Sequence, residues 1–277
     1  MDPVTRTVYV GNDDDNTVSV IDGTTNTVTA TVPVGGNPRG VAVDPGTRTV
    51  YVVNWRDDTV SVIDSATHTV SGTIDVGFGA TSVAVDPITH TAYALALFDA
   101  TVSVIDGLTH AVTGTVRVGY MPARVAVDAS TRTVYVTNEG DNTVSVIDGA
   151  TNTVTATVPV GGSPRGVAVD PGAHAVYVAN RGDATLSVID TLTHTVAGTV
   201  DVEWGPRSVA VDERTHAVYV TNRGEPNTVS VIDGSSRAVT AVLAVGTGRT
   251  NVAVDPGGHA VYVTNGDDAT VSVIGQQ

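Results

Sequence analysis

This chain has 277 residues and a net charge of −15, and all 14 of its basic residues are arginine. Nucleic-acid binding needs a basic stripe that displaces counterions, so no nucleic-acid partner is expected of so acidic a chain, although a local arginine cluster stays open. Cysteine is absent, which excludes disulfides, thiolate catalysis and cysteine metal sites, and the lack of lysine excludes Schiff-base chemistry.

No apolar run approaches the roughly 20 residues that a membrane helix needs. No basic-then-apolar leader precedes the first repeated phrase. The expectation is a soluble chain without a membrane partner, either cytoplasmic or the mature form of an exported protein.

In chain order, Tyr9, Tyr51, Tyr93, Tyr135, Tyr177, Tyr219 and Tyr262 recur at steps of 42, 42, 42, 42, 42 and 43 residues. Each sits in one phrase: TVYVGN, TVYVVN, TAYALA, TVYVTN, AVYVAN, AVYVTN and AVYVTN. One supersecondary unit is written seven times, and a period near 40 built of short strands indicates a propeller. With no linker or composition break between copies, residues 1–277 are expected to form one domain.

Residues 40–76 show the unit. GVAVD at 40–44 is a short apolar strand that runs into Asp-Pro-Gly, a turn signal. TVYVVN at 49–54 is a second strand, residues 55–58 a loop, and TVSVID at 59–64 a third strand. A turn at 65–68 leads to TVSGTIDV at 69–76, the fourth. Four antiparallel strands with tight connections make one blade. Alternation of Val with Thr, Ser or Ala, and not with charge, fits sheets buried on both faces. On that ground Val127 is expected to be enclosed, and Val127→Asp to unfold the protein.

The first and last copies are short. TVYV-type and TVSVI-type strands occur seven times each, but the VAVD strand only six times, from Val41 to Val252, and the fourth strand only six times. Met1-Asp2-Pro3 aligns with the end of a first strand. The predicted fold is thus all-β: a seven-bladed propeller of four-stranded antiparallel blades, the first and last of them three-stranded. A closed monomeric ring is expected. A shortened chain, or an oligomer that shares strands across the open edges, is the alternative.

The VAVDP, YVTN and TVSVID phrases, repeated across the whole chain, resemble the YVTN-repeat family of β-propellers, relatives of the WD40-like and lactonase-type propellers. The resemblance implies that strands run from the axis outward within each blade. It also implies that second-to-third-strand loops and outer-to-inner links share the usual ligand face. It implies no single function, since one propeller scaffold hosts binding modules and enzymes. The third copy departs furthest, with Ala94-Leu95-Ala96-Leu97-Phe98 in place of Val-x-Asn and a polar loop.

Candidate site residues are those outside the repeat consensus. Phe78, Tyr120 and Trp204 fall in links, and Trp55 and Phe98 in second-to-third loops. Together they are every aromatic residue beyond the tyrosine ladder, and by the family's geometry they share the ligand face, as a binding surface would. Arg39, Arg165 and Arg207 stand just before inner strands, with Arg124 and Arg249 one residue off. Guanidiniums around one opening would grip carboxylate or phosphate.

The loop acids, from Asp13-Asp14-Asp15 to Asp267-Asp268, lack calcium-loop spacing and read as a solvated rim, so no metal or other cofactor is expected. Asp44, Asp64 and their counterparts precede turns in nearly every copy and read as turn caps. The seven histidines fall in turns on the other end and read as exposed turn residues.

These features suggest a binding propeller that offers an arginine- and aromatic-lined face to an anionic small molecule or protein segment. One alternative is a lactonase- or lyase-type enzyme with Glu139, Asp141 or Glu225 as its carboxylate. Another is a ligand-free repeat scaffold, natural or designed.

Overall fold

A computed structural model describes residues 1–248, 250–258 and 260–275. Among them every regular element is a strand, and no helix is long and apolar enough to cross a membrane. The strands form seven sheets, each antiparallel and in sequential order. Blade two comprises Pro38–Asp44, Thr49–Asn54, Thr59–Asp64 and Thr69–Asp75. Blades three to six repeat that pattern.

Blade one has three strands, Thr7–Asn12, Thr17–Asp22 and Thr27–Pro33. Blade seven also has three, Val252–Asp255, Ala260–Asn265 and Thr270–Gly275. The fold is the seven-bladed propeller that the tyrosine period indicates. A lone bridge from Asp2 to Thr7 repeats the Asp44–Thr49 pairing of blade two, as the alignment of Met1-Asp2-Pro3 anticipates.

The chain divides into two compact units, residues 1–134 with 147–155 and residues 135–146 with 156–277. Blades one to three fall in the first, blades five to seven in the second. Within each unit, cores form where one blade faces the next. In the first, Tyr51, Val53, Val60, Val62 and Ile74 of blade two meet Ala80, Val83, Ala92, Ala94 and Ile105 of blade three. In the second, Tyr177, Leu186, Val188 and Val200 meet Val209, Val218, Val220 and Ile232.

Second and third strands are covered on both faces and both edges, so they carry the fully buried valines. Inner strands lie at a sheet edge, and Val127 there is only half-buried. The sequence-based expectation of an enclosed Val127 is therefore corrected. The outer strands expose most of their residues but blunt their open edge with a register shift, as between Val62 and Ile63. Such bulges discourage edge-to-edge pairing.

The asparagine that closes the Tyr-Val-x-Asn phrase is a clasp between two strands. Asn54 Nδ2 donates to Thr59 Oγ1 (3.0 Å) and Ser61 Oγ (2.9 Å). Asn12, Asn138, Asn180, Asn222 and Asn265 repeat the arrangement. In blade three the position is Ala96, which is buried and has no amide to form the clasp.

The aspartates that end strands cap turns as expected. Asp64 Oδ1, for example, accepts from the amides of Ala66 and Thr67, both at 2.8 Å. These bonds hold the Asp64 carboxyl below the usual carboxylate range, because amide donors favour the charged form.

Tyr51 places its ring between blades two and three, and its hydroxyl reaches the turn at Gly107 in the next blade, as those of Tyr93 and Tyr177 reach Gly149 and Gly234. Burial first, then the Asp44 and Asp106 carboxylates, pushes the Tyr51 phenol up to about 12. Burial first, with Asp2, does the same to Tyr9, also to about 12. A group whose folded pKa is raised contributes stability that is complete below its unfolded pKa and fades as pH climbs to the folded one. Here that window runs from the unfolded value of 10.0 to about 12. The melting temperature should hold up to pH 10 and fall steeply between 10 and 12, with ionisation of Tyr9 and Tyr51 appearing in step with unfolding. Ionisation of Tyr9 and Tyr51 at pH 10 with the fold intact would contradict this.

Candidate functional site

In blades two, three, five, six and seven the link arriving from the preceding outer strand is clasped to the loop between the second and third strands. In blade two, the Trp55 amide donates to Asn37 O (3.1 Å) and the Arg56 amide to Gly36 O (3.0 Å). In blade three, Leu97 donates to Gly79 O (2.9 Å) and Phe98 to Phe78 O (3.1 Å).

Loop acids complete the clasp. Asp57 Oδ2 accepts from the Gly36 amide at 2.6 Å, Asp99 Oδ2 from Phe78 at 2.7 Å and Asp58 Oδ1 from Gly79 at 2.7 Å. In the second unit, Asp183 and Asp268 accept from Gly162 and Thr247 in the same way. These carboxylates are therefore struts that fix the links, not the free solvated rim that their sequence positions suggest. Asn16 serves the same end, its Oδ1 accepting from the Asn37 amide at 2.8 Å. Among the described residues no group of three or more acidic or histidine side chains is placed to hold a metal ion.

This scaffold gathers four of the sequence-derived candidates. The Arg39 guanidinium lies 4.0 Å from the centroid of the Trp55 ring, a cation–π stack worth about 0.5–1 kcal/mol where exposed. Trp55 meets Phe98 at 5.6 Å between centroids, and Phe98 meets Phe78 at 4.9 Å. Arg39 is oriented from behind by a 2.9 Å bond from its Nε to Asn37 Oδ1.

The result is a row, Arg39, Trp55, Phe98, Phe78, lining a pocket of about 400 Å³ that Asn37, Arg56, Asp58 and Gly79 complete. Phe78 and Phe98 are 58% and 59% exposed, so their rings offer open surface and do not plug the interior. Gly79, at φ +77°, is required here, since a Cβ would stand 2.6 Å from the Phe98 ring.

The other candidates lie outside this pocket. Tyr120 is exposed, and Arg124 is half-buried with Nη1 donating to Ala123 O at 3.3 Å. In the second unit Arg165 is paired through Nε with Glu139 Oε2 (3.0 Å), and Arg181 Nη1 lies 3.8 Å from Glu139 Oε1. Glu139, one of the possible catalytic carboxylates, is thereby committed to two guanidiniums. Trp204 is exposed and Arg207 half-buried. Arg249 lies outside the described residues, as does His259.

His90 and His216 are more than exposed turn residues. Each Nδ1 lies 2.8 Å from a fully buried carboxylate, Asp44 and Asp170 respectively, and so joins adjacent blades.

Sequence reading missed Arg56 as a site residue. It lines the pocket, and its guanidinium has no hydrogen bond or ion pair among the described residues. The signal available was its place beside Trp55. What concealed it was the neighbouring Asp57, the obvious partner, whose carboxylate is turned to the Gly36 amide.

Residues 92–276, more than half of the chain, match the YNCE-like beta-propeller family. The chain belongs to the YNCE-like β-propellers. Membership agrees with the resemblance that the Tyr-Val-x-Asn phrases carry. Among solved structures this YNCE-like propeller is similar to Kuenenia stuttgartiensis hydrazine synthase. The two share 21% identity over 100% of this chain and 94% of that one, with a TM-score of 0.89. At that identity the likeness shows the fold alone. No curated protein matches the chain.

Proposed function

We propose that this YNCE-like propeller is a non-catalytic binding module whose aromatic pocket receives an anionic small molecule or protein segment. The observation that carries the reading is the row of Arg39, Trp55, Phe98 and Phe78 around one open concavity. Exposed rings in a preformed, mostly apolar pocket beside a few cationic groups are what ligand recognition needs. Two arginines against one carboxylate, itself engaged by an amide, set this spot apart from the acidic whole.

Anilinonaphthalene sulfonate, an apolar anion, is a suitable general probe. Its fluorescence should rise on binding the native protein. Affinity should fall about tenfold in Phe98→Ala, as expected for losing one aromatic contact surface. Tyr120→Ala, outside the pocket, should bind as the native protein does. Equal dye binding by all three proteins would remove the pocket from consideration.

A further inference from the structure

Deepening that reading, and resting on it, we infer that the pocket takes a small arylcarboxylate, its carboxylate forked on Arg56 and its ring laid on Phe98 and Phe78. Three observations narrow the class. The first is the unpaired guanidinium of Arg56 in a chain where acids outnumber bases 29 to 14. Arg165, by contrast, has found a carboxylate. A guanidinium presents two parallel donors that match the two oxygens of a carboxylate.

The second is the shortage of other donors. Phosphate sites recruit several backbone amides. Here the amides of Gly36, Asn37, Phe78 and Gly79 are already bound by Asp57, Asn16, Asp99 and Asp58. The pocket can therefore satisfy a monoanion with one fork but has little to offer a dianionic phosphate. Asp58, which lines the pocket, would repel the extra charge.

The third is shape. Phe78 and Phe98 are tilted by 34° to each other, and with Trp55 they form an apolar wall in a pocket of about 400 Å³, which suits one fused-ring body. Arg39 is already stacked on Trp55, so the exposed phenylalanines are the surface left for the ligand ring.

The test is calorimetric titration of the native chain with 2-naphthoate, its neutral carboxamide and 2-naphthyl phosphate, repeated with Arg56→Gln. Naphthoate should bind. The amide should bind at least about tenfold more weakly, and Arg56→Gln should lose naphthoate affinity by a similar factor, as for a charge-assisted fork. Arg56 is exposed and bonds no neighbour through its side chain, so the variant should melt with the native protein.

Equal binding of acid and amide, tighter binding of the phosphate, or an unchanged Arg56→Gln would each overturn the inference. An acetylated peptide ending in phenylalanine serves as a further arm, and its binding above naphthoate would assign the pocket to a chain terminus instead of a small acid. Anilinonaphthalene sulfonate separates the two levels. Dye bound through Phe98 without naphthoate bound would sink the arylcarboxylate and leave the binding module standing. Neither bound would sink both.

Discussion

Val60→Asp should abolish cooperative folding. Val60 is fully buried in the third strand of blade two, opposite Val53 on one side and Ile74 on the other. It packs in a cluster with Tyr51, Val62 and Val83 that offers no cationic partner. A carboxylate there must be buried unpaired or protonated against its normal pKa, and either costs several kcal/mol. Whole domains are stable by only about 5–15 kcal/mol, so one such group consumes most of the margin.

Position within the blade sets the scale. Val60→Thr keeps the shape and adds a hydroxyl, and should cost about 1–3 kcal/mol. Val28→Asp, on an outer strand where Val28 is 59% exposed, should stay within about 0.5 kcal/mol of the native protein. Val127→Asp should fall between these, since its strand edges the sheet. Thermal unfolding followed by circular dichroism ranks the four. A Val60→Asp protein that melts with the native one would refute the two-faced burial on which the fold rests.

That ranking also marks how far the sequence could be read. The seven copies, the strand limits and the turn-capping aspartates were legible because each is a local pattern repeated at a fixed period. Val127 misled because alternation tells which face a side chain takes but not whether its strand lies at an edge. The Asn54 clasp went unseen because its partners, Thr59 and Ser61, are set by hairpin register.

The site followed the same rule. Placing Trp55, Phe78 and Phe98 on one end needed only the loop classes. That they form a continuous row with Arg39, and that Tyr120 stands apart, depends on how neighbouring links and loops meet. Arg56 was hidden because counting charges along the chain pairs it with Asp57, whereas the fold spends Asp57 on a backbone amide.

Gly166→Val should cost about 3 kcal/mol or more, the upper part of the range for overpacking. The reason is contact, not dihedral freedom. A Cβ at Gly166 would stand 2.8 Å from Arg207 O, 2.9 Å from Ser208 Cα and 3.0 Å from Val209 N. All three are backbone atoms, so no side chain can rotate away, and the inner strands of blades five and six must part.

Gly114 is the control. It lies on an outer strand with nothing within 4 Å of its would-be Cβ, and Gly114→Val should be nearly neutral there. A domain of this size shifts its melting temperature by about 2–4 °C per kcal/mol, so the two variants should separate by roughly 6–12 °C. Gly166 also adjoins Arg165, whose Nε pairs with Glu139. Forcing the strands apart should therefore disturb that ion pair as well as the core. Gly40 makes the same approach in the first unit, where its Cβ would lie 2.9 Å from Ser82 Cα. It immediately follows Arg39, so Gly40→Val should both destabilise the fold and weaken dye binding at the aromatic pocket. Native melting of Gly166→Val or of Gly40→Val would mean that the blades are not set by backbone contact at their inner strands.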